Sequence, residues 1–348
     1  MSGTIGGGVM QSGLLGMLAS QSATVRQRMD MLSQQAATGQ KSDTYAGLGG
    51  GAKISIDLRP QLQRIDTYAT NISQADTKLQ MTGSALQQLS DIAASFATQT
   101  INMSAQTSLA VDSIAVQARL ALQRVQVLLN SQTGGTYLFA GQDSANQPVP
   151  DAELAAFVAA VQAPVATLTT TNAVATLGAT LAAANATAMT SATLGTARSV
   201  VEAGDSLDLA SGVLAGQNAY AVQSGAGSTG SYVKDLLRGL ATLAAMNSGQ
   251  TTLGNGFTSF VTDIGANLKG AVSAIGTEMA GIGQQQLVLT TQKAALSDTA
   301  TAFTTQISSV EDVDMAATAT ALSLVQTQLQ ASYKLIAVMQ NLSLVGYL

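Results

Sequence analysis

VTDIGANLKGAVSAIGTEMAGIGQQQLVLTTQKAALSDTATAFTTQISSV, residues 261–310, carries an apolar side chain at every seventh position: Val261, Leu268, Ile275, Ile282, Leu289, Leu296, Phe303 and Val310. A companion line, three or four residues away, adds Ile264, Val272, Met279, Ala300 and Ile307. This is the heptad repeat of a long helix with one apolar stripe. A straight helix drifts off a strict seven-residue period, so a repeat held this long implies supercoiling against a partner helix. No proline interrupts it. Gly265, Gly270, Gly276, Gly281 and Gly283 do lie inside it, each costing about 1 kcal/mol of helix propensity. Packing must outweigh that cost, and small residues also let neighbouring helices approach closely.

The partner lies near the other end of the chain. Ile65, Ile72, Leu79 and Leu86 are again spaced by sevens, with Leu62, Ala69 and Gly83 beside them. Ile92, Phe96, Ile114, Leu122, Val125 and Leu129 follow. Two long helical segments therefore flank a different middle. The simplest fold brings them together with both chain ends at one extremity. The expected fold class is mainly α: an elongated antiparallel coiled-coil bundle formed by the N- and C-terminal regions, with a small α+β middle region projecting outward. Its expected core is Ile65, Ile72, Leu79, Leu86, Val261, Leu268, Ile275, Ile282, Leu289 and Phe303. The corresponding divisions are 1–40 and 311–348 for terminal assembly helices, 41–135 and 232–310 for the halves of the bundle, and 136–231 for a variable outer region.

Composition agrees with a thin helical core. Apolar residues are 46% of the 348, but aromatics are only 4% and Trp is absent. Charged residues are 10%, against about 25% in typical soluble domains. Exposed flanks of a coiled coil usually carry Glu and Lys, and here they carry Gln, Thr, Ser and Ala. Neighbouring subunits covering this surface explain that bias, because unpaired charge is costly to bury. A weakly charged but solvated surface is the alternative. The net charge of −5 and the lack of basic clusters argue against nucleic acid. Without Cys there are no disulfides, thiolate metal sites or cysteine nucleophile.

Met1–Gly8 is Gly-rich without Lys or Arg, and Gln11 and Ser12 break the apolar run after it. A cleaved secretory signal is not expected there, nor a membrane span anywhere, since no run reaches 18 apolar residues. Leu14, Leu18, Val25, Met29 and Leu32 instead mark an amphipathic helix over about 9–38, stopped at Gly39. Residues 40–52 read as a Gly-rich loop. Its Gly47-Leu48-Gly49 lacks the strand–turn–helix setting that nucleotide binding requires. Lys53–Leu58 alternates and predicts a short strand or an extended lead-in, with Pro60 in the first turn of the next helix. That helix reaches about Met103. A second runs to Asn130, and Tyr137–Ala140 reads as a short strand. Residues 151–198 are biased toward Ala and Thr, a low-complexity middle with helical pieces such as Asp151–Gln162. Val200-Val201, a turn at Ala203–Asp205 and Leu207–Leu209 predict a β-hairpin returning to the bundle.

Ser308 and Glu311 fit a capping box, which predicts a new helix start there. The last helix carries Leu322, Val325, Leu329, Ile336, Met339 and Leu342. A chain end this apolar must pack on something, because each buried Leu or Ile is worth about 1.5–3 kcal/mol and an isolated helix of this length is marginal. The expected subunit-assembly residues are these six with Leu14, Leu18, Val25, Met29 and Leu32. Both terminal helices are expected to order on assembly. An ordinary intramolecular helix pair is the alternative.

Nothing in the pattern points to catalysis. His is absent as well as Cys, and no base accompanies the many Ser and Thr. The close acidic cluster Glu311, Asp312 and Asp314 sits at the predicted helix start, where acids favour the positive end of the macrodipole. No enzyme, cofactor or metal is expected.

Two stretches resemble the bacterial flagellin family, Val310-Glu311-Asp312-Val313-Asp314-Met315 through Gln330-Ala331-Ser332-Tyr333 to Ser343-Leu344 and the end of the first helix from Leu32 to Thr38-Gly39, and so does the pattern of similar ends around a different middle. Filament flagellins usually carry an Arg-, Asn- and Asp-rich segment after the first helix, and Gly39-Gln40-Lys41-Ser42-Asp43-Thr44 departs from it. Gly135-Thr136-Tyr137-Leu138-Phe139-Ala140-Gly141, followed by Pro148, looks like the hook-associated branch of the family. The resemblance implies a structural subunit, a homo-oligomer in a helical or ring assembly that joins hook to filament, with filament flagellin as the alternative within the family. It implies contacts with hook-side and filament-side axial proteins. It also implies type III export to the cell exterior without a cleaved signal, and an export chaperone on the C-terminal helix. From a different class, a secreted coiled-coil adhesin fits the same periodicity.

Overall fold

The computed structural model describes residues 6–103, 108–222 and 227–345, with side chains for 16–103, 110–222 and 227–338. Its helices are α1 (Gly6–Thr38), α2 (Ala52–Met103), α3 (Ser108–Leu129), α4 (Asp151–Gln162), α5 (Ala173–Ala186), α6 (Tyr232–Ala244), α7 (Asn255–Glu311) and α8 (Met315–Val345). Two antiparallel hairpins accompany them, β1 (Gln132–Thr133) with β2 (Thr136–Tyr137) and β3 (Ser199–Gly204) with β4 (Leu207–Ser211). The fold is mainly α. The chain divides into two units, Asp66–Ser297, and Met1–Ile65 with Asp298–Leu348. The two longest helices, α2 and α7, contribute to both.

In the unit Asp66–Ser297, α2 and α7 run antiparallel. Gly265 lies against Thr100 and Ala97, Gln286 Nε2 donates to Asp76 Oδ1 at 3.0 Å, and Lys293 Nζ donates to Ser73 Oγ at 2.8 Å. The seven-residue period drives this pairing: Val261, Leu268 and Ile275 on α7 and Ile72, Leu79 and Leu86 on α2 are all buried. α3 folds back beside α2, where Arg124 Nη2 donates to Gln88 Oε1 at 3.5 Å, and its other side packs on α6. α6 starts behind Ser231, whose hydroxyl accepts the Lys234 N–H at 3.4 Å. Gly239 opens α6 to α7, since a Cβ there would stand 2.5 Å from Leu268 Cδ2. Thus α2 and α6 each touch both α3 and α7, and α3 and α7 occupy opposite corners of a four-helix arrangement.

The Ala- and Thr-rich middle is folded. α4 and α5 pack on α6 and bury Leu154, Phe157, Val161 and Ala184. The first three share one helix face by their spacing. The hairpin expected from Val200 to Leu209 forms, with Val201 opposite Leu209. Four polar contacts hold it on the long helices. Tyr68 Oη donates to Asp205 Oδ1 at 2.7 Å, Asn71 Nδ2 to the Glu202 carbonyl at 3.3 Å and Gln292 Nε2 to the Ala203 carbonyl at 3.1 Å, and the Gly212 N–H donates to Gln285 Oε1 at 2.9 Å. The strand expected over Tyr137–Ala140 is shorter and earlier, Thr136–Tyr137. Beyond it Phe139 turns inward and is fully buried, and its carbonyl accepts the Ala215 N–H at 3.0 Å.

In the other unit α1 and α8 pack side by side. α1 leads into a turn at Gly39 and α8 leaves a break at Asp312–Asp314, and the Gln40–Asp312 bridge joins the two, so the helices run antiparallel. Two expectations are corrected here. Lys53–Leu58 is helical, because α2 begins at Ala52 and Pro60 lies well inside it. A helix places Ser55 and Arg59, four residues apart, on one face, and both reach Glu311. The capping box at Ser308 and Glu311 does not form either. α7 continues through Glu311, and Asp314 caps α8, its Oδ1 accepting the N–H of Ala316 at 2.9 Å and Ala317 at 3.0 Å.

Candidate assembly surfaces

The sharpest polar constellation lies where the two linkers meet. The Lys41 N–H donates to the Glu311 carbonyl at 2.7 Å and the Val313 N–H to the Gly39 carbonyl at 2.9 Å. Lys41 Nζ donates to the carbonyls of Ser309 and Val310, each at 2.9 Å. A cation thus caps the open carbonyl end of α7, where the helix dipole is negative. Gly39 takes φ 73°, the left-handed conformation of a helix stop. Gly51 is required for another reason: a Cβ there would stand 2.1 Å from Val310 Cγ1.

Glu311 completes this junction. Its carboxylate takes a two-pronged contact from Arg59, whose Nε lies 3.0 Å from Oε1 and whose Nη2 pairs with Oε2. The Ser55 hydroxyl also donates to Oε1. The Arg59 guanidinium, with a further bond from Ser55, holds the Glu311 carboxyl below its ordinary value, against the opposing effect of burial. The Arg59 side chain is 50% exposed and Glu311 9%, so solvent screens much of the pair's energy. The acidic cluster therefore serves a helix end, a cap and a latch. Glu311 closes α7 and Asp314 opens α8. Among the described residues no group of three or more carboxylate, His or Cys side chains is placed to hold a metal.

Of the terminal-helix residues expected to drive assembly, Val325 and Leu329 are buried within the chain, and Leu18, Val25, Met29, Leu32, Leu322 and Ile336 are half-buried. The side chains of Leu14, Met339 and Leu342 lie outside the described residues. This stripe is the one along which α1 and α8 face each other, with the Arg26 guanidinium 5.6 Å from the Tyr333 ring centroid. A different set is bare: Met17, Met31, Leu324, Leu335 and Val338. The sequence signal for it was present, as Leu335 and Val338 repeat at helical spacing behind Leu324, but the more regular stripe masked it.

Of the expected bundle core, Ile72, Leu79, Leu86, Val261, Leu268, Ile275, Ile282 and Leu289 are brought together in one cluster. Ile65 and Phe303 are only half-buried, as is Leu296. Sequence reading missed a polar anchor on the same helix. Glu278 is fully buried and accepts the N–H of Ala219 (3.0 and 3.1 Å), Tyr220 (2.9 Å) and Ala221 (2.8 Å). Those bonds set the Tyr220 ring on Gly281, where a Cβ would stand 2.2 Å from Cδ2. The Arg198 guanidinium covers the ring, 5.1 Å from its centroid.

No helix among the described residues is long and apolar enough to cross a membrane. No curated protein matches the chain. The family model of the bacterial flagellin C-terminal helical region matches residues 266–348, from within α7 through α8. The stretch from within α7 through α8, with the break at Asp312–Asp314, is thus similar to the C-terminal helical region of bacterial flagellins.

Proposed function

We propose that the protein is a structural subunit of the bacterial flagellum that joins hook to filament, the hook–filament junction protein. The match over residues 266–348 carries the flagellar reading. The finer assignment rests on Gly135–Gly141, which resembles the hook-associated branch, and on Gly39–Thr44, which departs from filament flagellins. In this role copies of the chain pack into a ring or short helix, the terminal helices α1 and α8 make contacts along the axis, and hook-side and filament-side proteins cover its two ends. The bare residues Leu324, Leu335 and Val338 supply apolar area for those contacts. Export proceeds through the flagellar type III apparatus without a cleaved signal, with a chaperone shielding α8. A cysteine-free chain with marginal terminal helices is easily kept unfolded for such passage. Purified protein added to isolated hooks and viewed by electron microscopy tests the reading. A short stub on each hook is expected. Long filaments make it filament flagellin, and a stable soluble oligomer that adds to nothing favours the adhesin.

A further inference from the structure

The two corner helices of the Asp66–Ser297 unit each carry a second seam that is exposed among the described residues. On α3 it runs Ser113, Val116, Leu120, Gln123, Val127, spaced alternately by three and four, and every member is exposed. Val116 is 51% exposed, Leu120 62% and Val127 70%, although the opposite face of the helix is buried. On α7 the same spacing runs from Ala266 to Ala294, all exposed, through Ser273, Gly276, Ala280 and Gly283. A Cβ added at Gly276 or Gly283 meets nothing within 4 Å. One seam thus presents apolar knobs, and the other, over Ser273, Gly276, Ala280 and Gly283, presents small residues that leave holes between Lys269 and the exposed Leu287. Lys269 is the only charged side chain on the α7 seam. Alternating three-and-four spacing is the geometry that interdigitates in coiled coils.

We propose that the α3 seam of one copy packs into the α7 seam of the next copy. The inference rests on the flagellar reading above and names the surface by which subunits meet side by side. α3 and α7 stand at opposite corners, so the contact joins two different patches. Such a heterologous contact leaves a free knob face and a free hole face at the ends of every chain of copies, and it closes only as a ring or continues as a helix. A helix of the length of α3 spans roughly 33 Å, within the length of the α7 seam. The gain in helix propensity that Ala would bring at Gly276 and Gly283 is forgone, which is understandable where a neighbour's side chain enters.

The chain has no Cys, so cysteine cross-linking reports this contact directly. Leu120→Cys is combined in turn with Gly276→Cys, Ala280→Cys and Gly283→Cys, and circular dichroism first verifies that each double variant folds as the wild type does. Each is assembled on isolated hooks beside wild type and oxidised. At least one pairing is expected to give a ladder of disulfide-linked multimers rising by one subunit per rung, because bridged Cα atoms must lie within about 7 Å. Assembled variants with no ladder in any pairing overturn this contact and leave the flagellar reading intact. Wild type that adds to no hook overturns that reading, and the contact falls with it.

Discussion

Replacing Glu278 with Ala should destabilise the unit that contains α6 and α7 by about 2–4 kcal/mol. The side chain is fully buried, and three backbone N–H groups converge on its carboxylate at 2.8–3.1 Å. A hydrogen bond to a charged acceptor contributes about 1.5–3 kcal/mol, so three are worth roughly 5–9 kcal/mol gross. Two effects reduce the net. The variant no longer buries a charge, an effective cost of several kcal/mol. A cavity of about 510 Å³ beside Asn218, Tyr220 and Ala221 also admits water to the abandoned donors. Urea unfolding followed by far-UV circular dichroism measures the loss as a shift of midpoint at unchanged slope. Glu278→Gln should fall between, since its amide oxygen still accepts while its NH2 group faces donors. A loss below about 0.5 kcal/mol for Ala, the range of ordinary surface substitutions, would refute the claim that this carboxylate holds residues 219–221.

Gly281→Ala should lower thermal stability, because its Cβ meets the Tyr220 ring at 2.2 Å, whereas Gly276→Ala, with open space around it, should raise monomer stability by about 0.5–1 kcal/mol; paired melting curves separate them. Glu311 has a folded pKa below its ordinary 4.5, so its contribution is present above that pH and lost as pH falls below it. Glu311→Gln should therefore flatten the acid side of a stability-versus-pH curve, and a curve that falls as steeply as wild type argues against the latch. Ile336→Asp should abolish incorporation into the appendage while circular dichroism still reports a folded Asp66–Ser297 unit. Leu324→Asp, on the bare face, should leave the monomer's melting unchanged and block incorporation as well; normal incorporation of Leu324→Asp would remove that face from the interface.

The long helices were legible because one period runs unbroken through them: a sequence from Val261 to Leu289 that is apolar every seventh residue has few other ways to fold. Past Leu289 the same rule becomes less informative. Leu296 and Phe303 keep the period but are only half-buried, since burial depends on what stands opposite, and periodicity records only one side. Lys53–Leu58 misled because Ile54, Ile56 and Leu58 alternate over too short a window, while the contact that decides the conformation, Ser55 and Arg59 on Glu311, spans most of the chain. The capping box misled because Ser-x-x-Glu is a local signal, and here Glu311 finds a stronger partner in Arg59 than in its own helix start. The Glu278 anchor had no local signature at all. A Glu in the middle of a helix reads as solvated until the loop that donates to it is placed.

Immunogold labelling of intact flagella, viewed by electron microscopy, places the protein directly. The account predicts gold confined to the boundary between hook and filament. Gold along the whole filament, or spread over the cell surface away from flagella, would contradict it.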